Sequence, residues 1–159
     1  MALWRNMIAE PVGSRCWRKG IAMTRKILCP VDGTEHATHA VEAAVEMAQK
    51  FGAELSLCLV NVAHGGGRGP LIHHWTDEDA RAILDTAAAL AAAKGVKPVA
   101  KAVVLDREAA SGIVRYADLN QIDQIVMGTG DKRGLSRLVL GSVAADVAGR
   151  AHCSVTVAR

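Results

Sequence analysis

The chain has 159 residues, 50% of them apolar and only 3% aromatic, with a formal net charge of +3. That length suits one domain with a sizeable core, packed by Val, Ile, Leu and Ala rather than by rings, and no apolar run approaches the roughly 18 residues of a membrane span. The charge is confined to residues 1–22, where Arg5, Arg15, Arg18 and Lys19 face Glu10 alone, so residues 23–159 are formally neutral, which speaks against a nucleic-acid binder.

Residues 1–22 hold Trp4 and Trp17 and show no sustained period. They lack the continuous apolar stretch of a secretory signal, though an Arg-containing, acid-poor segment has some likeness to a transit peptide. The simpler reading is an N-terminal extension, disordered or a start-site artefact, ahead of a domain at 23–159 with Met23 as its natural first residue.

From Arg25 the pattern alternates strand and helix. Lys26–Val31 is a short apolar run stopped by Asp32-Gly33-Thr34, a first strand and turn. Ala37, Ala40, Val41, Ala44, Val45 and Ala48 recur at three- and four-residue steps, one stripe of a helix with Thr34 as N-cap and Gly52 beyond its end. Glu54–Val62 is a second strand, running into the glycine-rich stretch Gly65–Pro70. Thr76 caps a second helix whose first turn, Asp77-Glu78-Asp79, faces the positive end of the dipole. Val99–Leu105 is a third strand, and Ala109–Leu119 a third helix with Ile113, Tyr116 and Ala117 inward. Gln124–Met127 is a fourth strand, followed by Gly128-Thr129-Gly130-Asp131-Lys132-Arg133-Gly134. A last helix starts near Gly141-Ser142 with Val143, Val147, Ala148 and Ala151 inward, and Ser154–Ala158 is the final strand.

Five strands interleaved with four helices imply parallel pairing and right-handed crossovers. The expected fold is α/β, an open parallel five-stranded sheet between helices on both faces. The cysteines, Cys16, Cys29, Cys58 and Cys153, form no C-x-x-C pair. Cys29 and Cys58 lie within strands as small hydrophobes, which fits reduced thiols in a cytoplasmic protein.

In such a sheet ligands bind beyond the carboxyl ends of the strands. That rule selects Pro30, Val31 and Asp32 after the first strand, Val62 after the second, and the segment from Met127 to Ser142 after the fourth. Glycines there let backbone N–H groups approach an anion. Gly141-Ser142 opens a helix whose unpaired N–H groups favour phosphate. Ser142 adds a hydroxyl, and Lys132, Arg133 and Arg137 add charge. A glycine-rich surface loop before an ordinary helix start would give the same composition. There is no G-x-x-x-x-G-K-[ST] P-loop, and Gly128-x-Gly130 lacks the third glycine of a dinucleotide fingerprint.

The stretch Val126–Ala144 resembles the nucleotide loop of the universal stress protein family. Lys26–Thr34 is similar to that family's first strand and turn, and Ala151–Val157 to its last strand. The resemblance covers Met23 to Arg159. It implies a Rossmann-like fold of the adenine nucleotide α-hydrolase type and an adenine nucleotide, ATP or AMP, as ligand. It implies Asp32 at the ribose or adenosine end, backbone near Val31, Val62 and Met127 around adenine, and Gly128, Gly141, Ser142 and Val143 around ribose and phosphates. Pro30, Thr129, Gly130 and Asp131 complete the expected nucleotide site. The family's spacing is glycine, two residues, glycine, nine residues, then Gly-Ser or Gly-Thr. Gly128 and Gly141-Ser142 match it, Asp131 stands at the second glycine, and Gly130 is displaced by one place. A carboxylate about 4 Å from a phosphate meets roughly 4 kcal/mol of repulsion at an effective dielectric of about 20. Asp131 could instead recruit Mg²⁺ together with the phosphates. After the third strand the family often has Gly-x-Pro, where this chain has Arg107-Glu108-Ala109.

Other polar groups read as surface. His36 and His39 are one turn apart on the polar side of the first helix, His73 and His74 lie in a loop, and Glu42 and Glu46 form an exposed i, i+4 pair. No Ser–His or Cys–His pair stands out as nucleophile and base, so no catalytic residue is expected and at most slow ATP hydrolysis. The final strand should form a sheet edge, through which similar proteins pair, so a homodimer is expected. The functional expectation is an ATP-binding stress-response regulator, with no nucleic acid or membrane partner. The rivals are a family member that binds no ATP and acts through protein partners, and a small ATP-hydrolysing enzyme of the same superfamily.

Overall fold

The computed structural model describes residues 24–65, 72–129 and 141–159. Within them the chain order is β1 (Lys26–Pro30), α1 (Glu35–Phe51), β2 (Glu54–His64), β3 (Ile72–His73), α2 (Asp77–Ala93), β4 (Ala100–Asp106), α3 (Ala109–Leu119), β5 (Gln124–Gly128), α4 (Ser142–Arg150) and β6 (Ser154–Ala158).

Alternation along the strands builds the three layers. Side chains on successive strand residues point to opposite faces, and the buried residues divide accordingly. Ile27, Cys29, Leu55, Leu57, Leu59 and Val126 pack with α1 and α2. Leu28, Cys58, Ile125 and Met127 pack with Ala110, Ile113 and Ala117 of α3 and Ala144 and Val147 of α4. The central strands are therefore apolar on both faces, as a parallel sheet covered twice requires.

The helices begin and end where side-chain chemistry dictates. Thr34 accepts from Ala37 N to cap α1, and Gly52, in the left-handed region at φ 62°, closes it. Thr76 accepts from Asp79 N at 3.1 Å to cap α2. The stripe expected for α1, Ala37 to Ala48, is buried throughout. On α4 the inward residues are Ala144 and Val147, with Ala151 packed beside them. Val143 and Ala148, expected inward, are exposed. Beginning α4 at Ser142 sets a phase in which only the Ala144–Val147 line meets the sheet.

β4, β2, β1, β5 and β6 lie side by side and parallel. The chain steps outward through β1, β2 and β4, then crosses back to β5 and β6. The direction of progression reverses between β1 and β5, and β4 and β6 are the edges of the parallel sheet. One element departs from the sequence reading: β3 pairs antiparallel with the end of β2, Ala63 opposite His73. Asn61, 1% exposed, holds this segment by matching the backbone of Trp75. Its Nδ2 donates to Trp75 O and its Oδ1 accepts from Trp75 N, both at 2.9 Å.

Candidate functional site

The strand reversal between β1 and β5 leaves a crevice at the carboxyl ends of the strands, where open α/β sheets bind ligands. A cavity of about 450 Å³ lies there, within the range of small-molecule sites. Its floor is aliphatic: Val31, Ala37, Val60, Ile113, Met127 and Ala144. Its rim brings together Pro30 and Asp32 from the end of β1, Thr34 and His36 from the start of α1, and Ala109 at the start of α3. Gly128 and Thr129 from the end of β5, and Gly141, Ser142 and Val143 at the start of α4, complete it.

Three helices thus aim their N-termini at one cavity, and they are finished differently. α1 is capped by Thr34, and Thr34 is itself held by Asp32, whose Oδ1 accepts from Thr34 N at 3.0 Å and from Thr34 Oγ1 at 2.6 Å. Among the described residues α3 and α4 have no side-chain cap. In α4 the first intrahelical bond is Ala145 N to Gly141 O, 2.9 Å. The N–H groups of Ser142, Val143 and Ala144 precede it, at the positive end of the dipole. An uncapped first turn facing a cavity suits an anion.

Two glycine-loop residues have structural duties. A Cβ on Gly128 would lie 2.4 Å from His36 O and 2.7 Å from His36 C, so its missing side chain lets β5 lie against the start of α1. Thr129, 8% exposed, accepts from Gly141 N through its Oγ1 at 3.2 Å, bringing the two ends of the glycine-rich segment together.

Nine residues singled out from the sequence therefore share the cavity: Pro30, Val31, Asp32, Met127, Gly128, Thr129, Gly141, Ser142 and Val143. The N–H of Val31 is engaged by Cys58 O at 2.8 Å, so it is not available to a ligand. Val62 is not on the lining. β2 continues two residues past it, and its carbonyl accepts from His74 N at 3.0 Å. Val60, on the same face one step earlier, lines the cavity in its place. His36, read as a surface residue, is half-buried on the rim, because the contact of its backbone with Gly128 draws the first turn of α1 inward. Glu42, read as solvated, pairs with Lys94 at 3.1 Å. The expected sites Gly130 and Asp131, the latter with its Mg²⁺ role, lie outside the described residues, as do Lys132, Arg133 and Arg137.

Sequence periodicity missed Thr34, His36, Ala37, Val60, Ala109, Ile113 and Ala144. One signal was available for most of them: in a parallel sheet the helix following a strand starts at the same end as the strand's carboxyl terminus. Among the lining residues Asp32 and His36 are the ionisable ones. Cys29 of β1 and Cys58 of β2 are buried free thiols outside the lining. Burial pushes the Cys58 thiol up to about 12 and also raises that of Cys29, with Cys58 a second cause. Neither is a nucleophile at neutral pH. No group of three or more His, Cys, Asp or Glu residues is placed to hold a metal among the described residues, and no described helix is long and apolar enough to cross a membrane.

The fold and cavity define an open-sheet α/β protein with a small-molecule crevice at the strand reversal. The model of the universal stress protein family matches residues 23–159, and the chain belongs to that family. A universal stress protein of Methanocaldococcus jannaschii is 34% identical over 148 residues, 89% of this chain and 86% of that protein. Among solved structures, a universal stress protein from Archaeoglobus fulgidus in complex with dAMP is 25% identical with a TM-score of 0.65, covering 86% of this chain and 99% of that one. A universal stress protein in complex with cAMP shares the fold with a TM-score of 0.70 at 21% identity, covering 87% and 99%.

Proposed function

We propose that this chain is an adenine-nucleotide-binding regulatory protein, taking ATP or AMP in the crevice between β1 and β5. The observation that carries the reading is the pairing of an aliphatic floor with the uncapped first turn of α4 on one cavity. The base packs on the floor near Val31, Val60 and Met127, where main-chain carbonyls and aliphatics replace ring stacking. Asp32 serves the ribose: its Oδ1 holds Thr34, which leaves Oδ2 to accept from a sugar hydroxyl. The phosphate meets the N–H groups and hydroxyl of the Gly141-Ser142 turn. The dAMP complex of the Archaeoglobus fulgidus relative supports this assignment.

Of the two ionisable residues in the described lining, Asp32 and His36, Asp32 is engaged with Thr34 and assigned to the ribose, and the reading is binding with at most slow hydrolysis. The edge strand β6, with its alternating Val155 and Val157, supports homodimer formation through that strand, and the reduced buried thiols support a cytoplasmic setting. Asp131 at the second glycine of the family's spacing favours a second reading, in which ATP is not bound and the protein acts through partners.

The test is to denature the purified protein and identify released nucleotide by chromatography and mass spectrometry, then titrate the empty protein with AMP and with ATP and Mg²⁺. About one adenine nucleotide per chain, or binding of either ligand, supports the proposal. An empty protein that binds neither refutes it and favours the partner reading.

A further inference from the structure

α4 is lightly held. Of its nine residues only Ala144 and Val147 are buried, so α4 meets the sheet along one narrow line, with Ala144 in its first turn and Val147 one turn on. Its C-terminal end is tied to α3, where Arg150 reaches Glu108 at 3.1 Å and Ser111 at 3.2 Å. At its N-terminal end the tie among the described residues is the bond from Gly141 N to Thr129 Oγ1. The other chain-reversing turns of the site are fixed within their own sequence, as Asp32 fixes Thr34. This one spans the whole glycine-rich segment.

We propose that Thr129 is a positioning residue for phosphate recognition. It contacts the N-cap residue of α4 and sets where the amides of Ser142, Val143 and Ala144 point. The inference rests on the nucleotide-binding reading and deepens it. Three features suit Thr129 to the task. A β-branched side chain has few χ1 rotamers, so its hydroxyl is delivered at a defined place. The residue is nearly buried, so water competes little for the bond. It follows Gly128, whose position against His36 is fixed by close backbone approach. Thr129 therefore links the start of α4 to the close contact between β5 and the start of α1.

The effect should be selective. The residues assigned to the base, Val31, Val60 and Met127, lie at the end of β1, on β2 and on β5 and not on α4, so loss of the tie should weaken a nucleoside monophosphate and spare the nucleoside. The experiment compares wild type, Thr129→Val and Thr129→Ser by calorimetric titration with AMP and with adenosine, alongside amide hydrogen exchange at Gly141 and the first turn of α4. Valine keeps the shape and removes the acceptor, and serine restores the acceptor alone. The expected result is a loss of about five- to tenfold in AMP affinity for the valine variant, adenosine affinity unchanged, recovery by serine, and faster exchange at Gly141 in the valine variant only. AMP binding unchanged by valine, equal loss for AMP and adenosine, or no recovery by serine each overturns the proposal. If wild type binds neither ligand, the nucleotide reading fails and the phosphate role falls with it. The exchange at Gly141 then reports separately whether Thr129 holds the turn.

Discussion

Replacing Gly128 by alanine would place a Cβ 2.4 Å from the carbonyl oxygen of His36, 2.7 Å from its carbonyl carbon and 3.2 Å from Ala37 N. Carbon–oxygen contacts ordinarily begin near about 3.3 Å, so β5 and the start of α1 would have to part by roughly 0.9 Å. All three neighbours are backbone, and no side chain can swing aside to relieve the contact. Overpacking of this kind costs about 1–3 kcal/mol, and an obstacle made only of backbone puts Gly128→Ala at the upper end. At about 2–4 °C per kcal/mol for a chain of this size, the melting temperature should fall by about 6–12 °C. The control is Gly149→Ala. Gly149 lies within α4, and a Cβ there meets nothing within 4 Å. Alanine should stabilise that position by about 0.5–1 kcal/mol. The same chemical change thus has opposite signs at two glycines, read by thermal melts followed by circular dichroism. A Gly128→Ala protein melting within a degree of wild type, or a Gly149→Ala protein destabilised as far, would refute the close-approach argument.

Asn61→Leu should cost about 2–3 kcal/mol, because the paired N–H and carbonyl of Trp75 lose their partners; a lower urea midpoint at unchanged m-value checks this. Burial raises both core thiols, Cys58 to about 12. The folded state therefore keeps protons that the unfolded chain releases above about pH 8.5. Stability should be full below that pH and decline above it by about 1.4 kcal/mol per pH unit for each thiol; equal urea midpoints at pH 8 and pH 10 would contradict it. The same burial should keep Cys29 and Cys58 unmodified by iodoacetamide at pH 8 in native protein and alkylated in urea, read by peptide mass spectrometry. Glu108→Gln removes an ion pair whose side chains are 52% and 45% exposed, so the midpoint should move by less than about 1 kcal/mol; a larger shift would give the Arg150 tie more weight than its exposure allows.

Much of the architecture is legible in local sequence. The three- and four-residue spacing of small apolar residues gives α1 its buried stripe, and α3 runs from Ala109 to Leu119 as the pattern predicts. Thr34 and Thr76 mark helix starts because their hydroxyls accept from the orphan amides of the next turn. Runs buried on both faces announce parallel strands. For the site, the rule that ligands lie beyond strand ends locates Pro30, Asp32, Met127 and Ser142 without knowledge of strand order.

What escaped depends on distances between segments remote in the chain. Val62 and Val60 share a face of β2, and only the length of the neighbouring β1, which ends at Pro30 opposite Cys58, decides which of them borders the cavity. Val143 fits an inward position on α4 by composition, but the phase of a helix against a sheet is set by where its first turn is held. His36 looks like a solvated histidine until β5 is laid against its backbone. The partnership of Thr129 with Gly141 joins residues that no local period relates. The sequence by itself determined the helices, the parallel strands, the caps of α1 and α2 and the family, because hydrogen-bonding and burial periods act over a few residues, whereas the short β3 is made by its pairing with β2. Strand order, the reversal between β1 and β5, and the cavity it opens were decided by tertiary structure, because each depends on which strands pair and how closely two backbones can approach.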